Sequence, residues 1–213
     1  ASSAESVCRP LAVVSCIRQQ VKWEDFMNKT YSISRPLAVL GILLATFGSL
    51  ANITLANEHA FQNTLTDEEL AEGWILLFDG ETDYGWKAGS KANWTVRDGA
   101  ITVSEGEPGL LTTVSQFGDY VFKCDFRAET GTNSGIFLRT PRVPKDPKSD
   151  CYELNIADQA VSPFPTGSFV GREASQGVPD SSEWRTFEVT AKGGHFVVLL
   201  DGKQVLDYTD PKP

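Results

Sequence analysis

The stretch CYELNIAD, Cys151 to Asp158, sets acidic and amide side chains at a spacing that could do chemistry. Tyr152, Leu154 and Ile156 lie two apart and form the apolar face of a half-buried β-strand, because successive side chains on a strand point to opposite sides. The other face carries Glu153 and Asn155. A positioned carboxylate is what general-base catalysis needs. Glu153, Asn155 and Asp158 are also oxygen donors of the kind Ca²⁺ or Mg²⁺ accepts. In NSGIFLR, Asn133 to Arg139, the same alternation turns Ile136 and Leu138 one way and Phe137 and Arg139 the other. A blander reading makes Arg139 and Glu153 a surface ion pair on neighbouring strands, contributing ~0–1 kcal/mol and nothing else. Strict alternation places Asp158 on the core side, so only a strand end or bulge after Ile156 can turn it towards Glu153.

Other chemistries find no support. The chain past residue 57 has two histidines, His59 and His195, far apart and outside any zinc-ligand spacing. His195 follows a Gly193-Gly194 turn and reads either as a proton donor or as an exposed turn residue. No phosphate-binding glycine loop, nucleophile elbow or histidine-based triad is present. Formal net charge is −9 over 213 residues. Residues 1–57 hold five basic and three acidic side chains, leaving 14 basic against 25 acidic in the remainder. An acidic body without a basic stripe argues against nucleic acid, whose affinity comes from neutralising phosphates. It argues equally against an anionic membrane surface.

The elements that must position these residues are almost all strands. TDEEL, Thr66 to Leu70, opens with a capping box and predicts one short helix ended by Gly73. From Trp74 the pattern has period two. Strands are expected over 74–78, 94–97, 100–104, 110–113, 119–128, 135–139, 152–156, 184–191, 195–201 and 203–208. Asp98-Gly99, Gly193-Gly194 and Asp201-Gly202 read as two-residue hairpin turns. Many short strands with so little helix predict an all-β, antiparallel two-sheet sandwich. Two irregular loops, 140–150 and 157–183, flank the strand that carries Glu153, so something other than bulk water is expected to cover its polar face.

The N-terminus reads differently. Met27 is followed by Lys29 and Arg35 and then by the apolar PLAVLGILLATFGSLA, Pro36 to Ala51, with small-residue cleavage sites at SLA and TLA. Residues 27–56 are therefore expected to be a signal peptide, exporting the body to a periplasmic or extracellular space and leaving no integral membrane association after cleavage. A membrane anchor is the competing reading, although the run falls short of the ~20 apolar residues needed to span. Residues 1–26 are expected to be an upstream extension outside the fold, 57–72 a linker with the short helix, and 73–213 the folded domain. Export would permit a disulfide. Cys124 shares the core side of its strand with Phe122 and Phe126, whereas Cys151 shares a face with Glu153, so two separate thiols compete with a bridge.

GWILLFDGETDYGW, WTVRDGAITV, LLTT, DYVFKCDFR, NSGIFLR, YELNIAD, SEWRTFEV and DGKQVLDYTD follow one another in this order. Together they resemble the DUF1080 family, the 3-keto-disaccharide hydrolase domain, from about Leu65 to Asp210. The resemblance implies a concanavalin A-like, laminin-G-like jelly roll in which one sheet forms a sugar-binding groove. Asn155 stands where the family usually has Gln, Phe169 where Tyr is common, and Arg185 where Asn is common. Family members usually continue for one or two further strands, so the resemblance also implies a C-terminal truncation here.

By this resemblance the substrate is a glycoside already oxidised to a ketone at C3. A base removes the acidified C2 proton, the enediolate is stabilised, and the aglycone leaves from C1. Glu153 would be the base, Arg139 or a divalent cation (Ca²⁺ or Mg²⁺) would face the oxyanion, and Asp158 would complete the catalytic set. Asn155, Phe137 and Phe169 would bind the sugar, Phe137 by stacking. Two alternatives use the same residues. One is a concanavalin-like retaining glycosidase, which needs two carboxylates ~5 Å apart. The other is a jelly roll that binds carbohydrate without cleaving it.

Overall fold

Thr66 ends an extended segment and its hydroxyl accepts the Glu69 amide (3.1 Å), while the Glu69 carboxylate accepts the Thr66 amide (2.8 Å). This reciprocal pair satisfies two of the donors that a helix N-terminus leaves unpaired. Helix α1, Asp67–Ala71, is therefore as short as the sequence implies, and Gly73 follows with φ 81°. These details come from a computed structural model that describes the backbone of residues 14–22 and all of residues 63–146 and 149–213. The expected signal peptide at 27–56 lies outside the described residues.

The described strands are β1 (Val14–Lys22), β2 (Ile75–Leu76), β3 (Trp86–Ala88), β4 (Thr95–Arg97), β5 (Ala100–Val103) and β6 (Leu111–Thr113), continuing with β7 (Tyr120–Ala128), β8 (Asn133–Leu138), β9 (Tyr152–Ala157), β10 (Arg185–Lys192), β11 (His195–Leu200) and β12 (Lys203–Thr209). One antiparallel sheet runs β12-β11-β10-β7-β1-β5-β4, with β2 also on β1. β8 and β9 form a separate hairpin, and β3 pairs with β6. The stretch 167–170 adds a third line beside β9 through Asn155 N–Ser168 O (2.9 Å), Gly167 N–Asn155 O (2.9 Å) and Val170 N–Glu153 O (3.0 Å). The two sheets face each other across one core, and the chain folds as the expected β-sandwich.

That core follows from period-two patterning. Phe122, Cys124 and Phe126 of β7, Phe187 and Val189 of β10, and Phe196 and Val198 of β11 meet Leu138, Tyr152, Leu154 and Ile156 of the hairpin. Ile136 packs against the same cluster, partly buried. Phe126 and Phe187 stack with centroids 4.5 Å apart, and Tyr152 lies 4.3 Å from Phe196 across the sandwich. A one-residue slip of β9 would bury Glu153 in place of Leu154, so the register is strongly specified. Asp98 (φ 51°) with Gly99 (φ 71°) and Asp201 (φ 53°) with Gly202 (φ 76°) take the left-handed conformations that tight hairpins demand.

Three elements differ from the sequence reading. Only Ile75–Leu76 of the expected 74–78 strand pairs, and Trp86–Ala88 forms a strand that the short motif did not reveal. The largest difference is β1. Residues 1–26 were expected outside the fold, yet Val14–Lys22 pairs with β7 along its length on one side and with β5 and β2 on the other. β-branched residues at 14, 17 and 21 suit a strand, and β5 and β7 do not pair with each other. Their facing edges would otherwise be open.

Cys124 and Cys151 are both buried and not disulfide-bonded, in line with their opposite strand faces. No helix among the described residues is long and apolar enough to cross a membrane.

Candidate functional site

Glu153 sits directly across the β8–β9 ladder from Phe137, and Asn155 directly across from Gly135. All four belong to the face of the hairpin turned away from the core. Glu153 is half-buried and its carboxylate makes no hydrogen bond or ion pair with any described residue. Burial, with no compensating charge, pushes its carboxyl above the usual glutamate value of 4.5. Gly135 makes room for this side chain: a Cβ there would lie 3.1 Å from Glu153 Cγ and 3.4 Å from Oε1. A glycine inside a strand often marks such a close approach, so this part of the site was readable from NSGIF.

The other expected residues divide. Phe137 is partly exposed beside Glu153, as a stacking surface requires. Asn155 shares the face but does not line a groove. It is 1% exposed, its Nδ2 donates to Phe164 O and to Ser162 Oγ (3.4 Å), and its buried Oδ1 has no hydrogen-bond partner. The returning 157–165 loop closes over it, so Asn155 anchors that loop.

Arg139 leaves the face altogether. It follows β8 with φ 51°, which breaks the strand alternation. Its guanidinium donates to Asp119 Oδ1 (2.9 Å), Gly118 O (3.4 Å) and Gly193 O, and lies 5.1 Å from the Phe196 ring. Gly193 N also donates to Asp119 Oδ1 (2.9 Å). Arg139, Asp119 and the β10–β11 turn thus form a closed clasp at one end of the sandwich. Neither the expected oxyanion role nor the competing ion pair with Glu153 is formed.

Asp158 and Phe169 are structural as well. Asp158 lies just past β9, and its Oδ2 accepts the Gly131 amide (2.7 Å), holding the turn between β7 and β8. Phe169 is 0% exposed and packs against Tyr152, Phe196 and Tyr208 at 5.3–5.7 Å. Its bridge to Leu154 puts it on the core side. Glu153, Asn155 and Asp158 therefore do not converge as an oxygen cage. Among the described residues no group of three or more His, Cys, Asp or Glu is placed to hold a metal ion. The retaining-glycosidase alternative loses its second carboxylate by the same geometry. His195 is exposed and pairs with Asp207 Oδ1 (2.8 Å) on the neighbouring strand.

One cluster next to the site was not anticipated. Arg172, in the 157–183 loop, donates to Asp210 Oδ2 (2.7 Å), to Tyr208 Oη (3.4 Å) and to Cys151 O (3.3 Å). Its guanidinium lies 4.3 Å from the Tyr152 ring centroid. Tyr152 Oη donates to the same Asp210 oxygen (2.8 Å). Burial, reinforced by that bond to a carboxylate, pushes the Tyr152 hydroxyl up to about 12. A lone arginine in a long loop carries no sequence signal of such a partnership.

The fold and this face together define an antiparallel β-sandwich domain whose smaller sheet presents a desolvated carboxylate beside an aromatic ring. The chain belongs to the 3-keto-alpha-glucoside-1,2-lyase-like domain family, whose model matches residues 73–213. It is 30% identical over 90 residues to a 3-keto-disaccharide hydrolase of Bacteroides thetaiotaomicron, covering 37% of this chain and 31% of that protein. The match thus spans under a third of that relative's length. A crystal structure from Parabacteroides distasonis ATCC 8503, provisionally described as a glycosyl hydrolase, superposes with a TM-score of 0.59 at 25% identity. That superposition covers 70% of this chain and 77% of the other.

Proposed function

We propose that this domain cleaves 3-keto-glycosides by base-assisted elimination, with Glu153 as the base, and that it does so after export. The reaction class is supported by the family and by the hydrolase relative from B. thetaiotaomicron. The observation that carries the role of Glu153 is its environment: a half-buried carboxylate with no hydrogen bond or ion pair, raised by burial alone. A carboxylate kept for structural reasons is normally paired, because leaving it desolvated and unpaired costs free energy. A raised pKa also makes it a stronger base.

The C3 carbonyl acidifies the C2 hydrogen; Glu153 takes that proton as the electron pair passes to the C3 oxygen as an enediolate. The pair then returns to form the C1–C2 double bond and the C1–O bond breaks, expelling the aglycone, whose oxygen takes a proton from water while Glu153 gives its own back to solvent. Addition of water across the double bond then completes a net hydrolysis. Phe137, opposite Glu153, offers a ring on which the sugar can stack. Arg139, tied into its clasp, is not assigned a part.

Export rests on the basic n-region and apolar run between Lys29 and Ala51. The test of the function is aglycone release from a panel of glycosides and their 3-keto derivatives. Release from the keto forms alone is expected, and its loss in Glu153→Gln. Binding of the sugars without turnover by the unaltered chain would favour a non-catalytic carbohydrate module.

A further inference from the structure

We infer that Arg172 and Asp210 are positioning residues for Glu153: their buried ion pair clamps the outer flank of β9 on which Glu153 stands. This rests on the reading of Glu153 as the base.

The chain at Glu153 and in the two residues before it is held from one place. Arg172 donates to the carbonyl of Cys151, two residues before Glu153. Asp210 accepts the hydroxyl of Tyr152, one residue before it. The carbonyl of Glu153 itself accepts the amide of Val170, two residues before Arg172. The turn joining these contacts is tight: Arg172 N and Glu173 N both donate to Phe169 O (3.0 Å each). The clamp reaches the end of β12, because Asp210 N donates to Gly194 O (2.8 Å) and Asp210 Oδ1 accepts Lys212 N (2.8 Å). Four chain segments, β9, the 169–173 loop, the β10–β11 turn and the end of β12, therefore meet at two residues.

The pair is also more buried than a surface ion pair, with side-chain exposures of 14% for Arg172 and 6% for Asp210. Arg172 Nε is buried with no hydrogen-bond partner. The titratable groups meeting there are Arg172 from the loop, Asp210 at the end of β12, Tyr152 of β9, Tyr208 of β12 and the Cys151 thiol, which feels both Arg172 and Glu153. Two guanidinium nitrogens divide these partners, Nη1 serving Asp210 and Tyr208 and Nη2 the Cys151 carbonyl; a lysine offers one nitrogen in place of that rigid fork. A base displaced by about 1 Å loses roughly 10²-fold in rate, so flank geometry matters to the chemistry.

The experiment uses the full chain and reads Glu153 without any substrate. Its carboxyl titration midpoint is followed by ¹³C NMR, with Glu153→Gln fixing the assignment, in the unaltered protein, Arg172→Lys and Arg172→Met. Loosening the flank admits water to Glu153, so both variants are expected to bring the midpoint down towards 4.5. On a 3-keto-glycoside, kcat should fall about 10-fold or more while KM holds. Arg172→Met removes one member of a buried pair and could prevent folding; Arg172→Lys keeps the charge and then carries the test. An unchanged midpoint in folded Arg172→Lys, with only a lower Tm, overturns the positioning role whatever the activity. A midpoint that moves in the variants while the unaltered protein itself releases no aglycone upholds the positioning role and defeats the proposed function instead.

Discussion

Glu153 leans over Gly135: a methyl group on that glycine would stand 3.1 Å from Glu153 Cγ, tighter than ordinary van der Waals contact. The missing side chain on β8 leaves room for the carboxylate on β9, and neither strand by itself accounts for where the carboxylate lies. Gly135 does not have a positive φ, so the space, and not backbone conformation, is what it supplies.

Gly135→Ala is accordingly expected to displace Glu153 more than it disturbs the sheet. The added carbon would also lie 3.0 Å from Leu154 O, so a modest loss of stability of about 1–2 kcal/mol is expected, with a larger loss of kcat, on the order of 10²-fold. A thermal melt beside steady-state kinetics checks this. Full activity in Gly135→Ala would show that the carboxylate can move without cost.

Replacing Glu153 by Gln should lower turnover by about 10²-fold or more, the usual scale for losing a positioned general base. Its effect on stability has a defined sign. The folded-state pKa is raised above the unfolded value, so Glu153 imposes no penalty below about pH 4.5, where it is neutral in both states. The penalty appears as pH rises through the folded pKa. Glu153→Gln should therefore match or exceed the parent Tm at pH 7, and the gap should close below pH 4.5. A lower Tm at pH 7 would mark Glu153 as a structural partner.

The pH dependence of Asp210 runs the other way. The Lys212 amide and the bonds from Tyr152 and Arg172 outweigh burial and hold its carboxyl below the usual 3.8. Its contribution to stability is present above pH 3.8 and is lost as pH falls through the folded value. Urea melts between pH 3 and pH 6 should show Asp210→Asn less stable than the parent at pH 6, with the difference shrinking in acid.

Arg139 should behave as a structural residue. Arg139→Ala removes donors to Asp119, Gly118 and Gly193 and should cost on the order of 1–3 kcal/mol, with kcat below the melting range nearly unchanged. A selective loss of kcat without loss of stability would return Arg139 to the active site.

Export makes a prediction about β1. Cleavage after Ala51 or Ala56 would remove Val14–Lys22 together with the signal peptide and open the facing edges of β5 and β7. Protein recovered from the exported fraction is expected to begin near Asn52 or Asn57. Intact Phe26-Met27-Asn28 in that fraction, read by mass spectrometry, would sink the export reading and keep β1 in the sheet.

Local and periodic features are legible in the chain alone. The Thr66–Glu69 box, the Asp-Gly turns and the alternation in β7, β9, β10 and β11 need only neighbours along the chain, so helix, hairpins and core side were all legible. Glu153 on the outer face follows from the same parity. Partnerships across the fold were not legible, because alternation states which way a side chain leaves its strand and not what it meets. Arg139 escapes the pattern through one left-handed residue and joins Asp119, twenty positions earlier. Asn155 has the right parity yet lies under a loop that returns from Phe164. Phe169 faces the core because its segment pairs beside β9, and Arg172 finds Asp210 across 38 positions. Each of these is decided by how loops fold back and which polar groups must be satisfied where water is excluded.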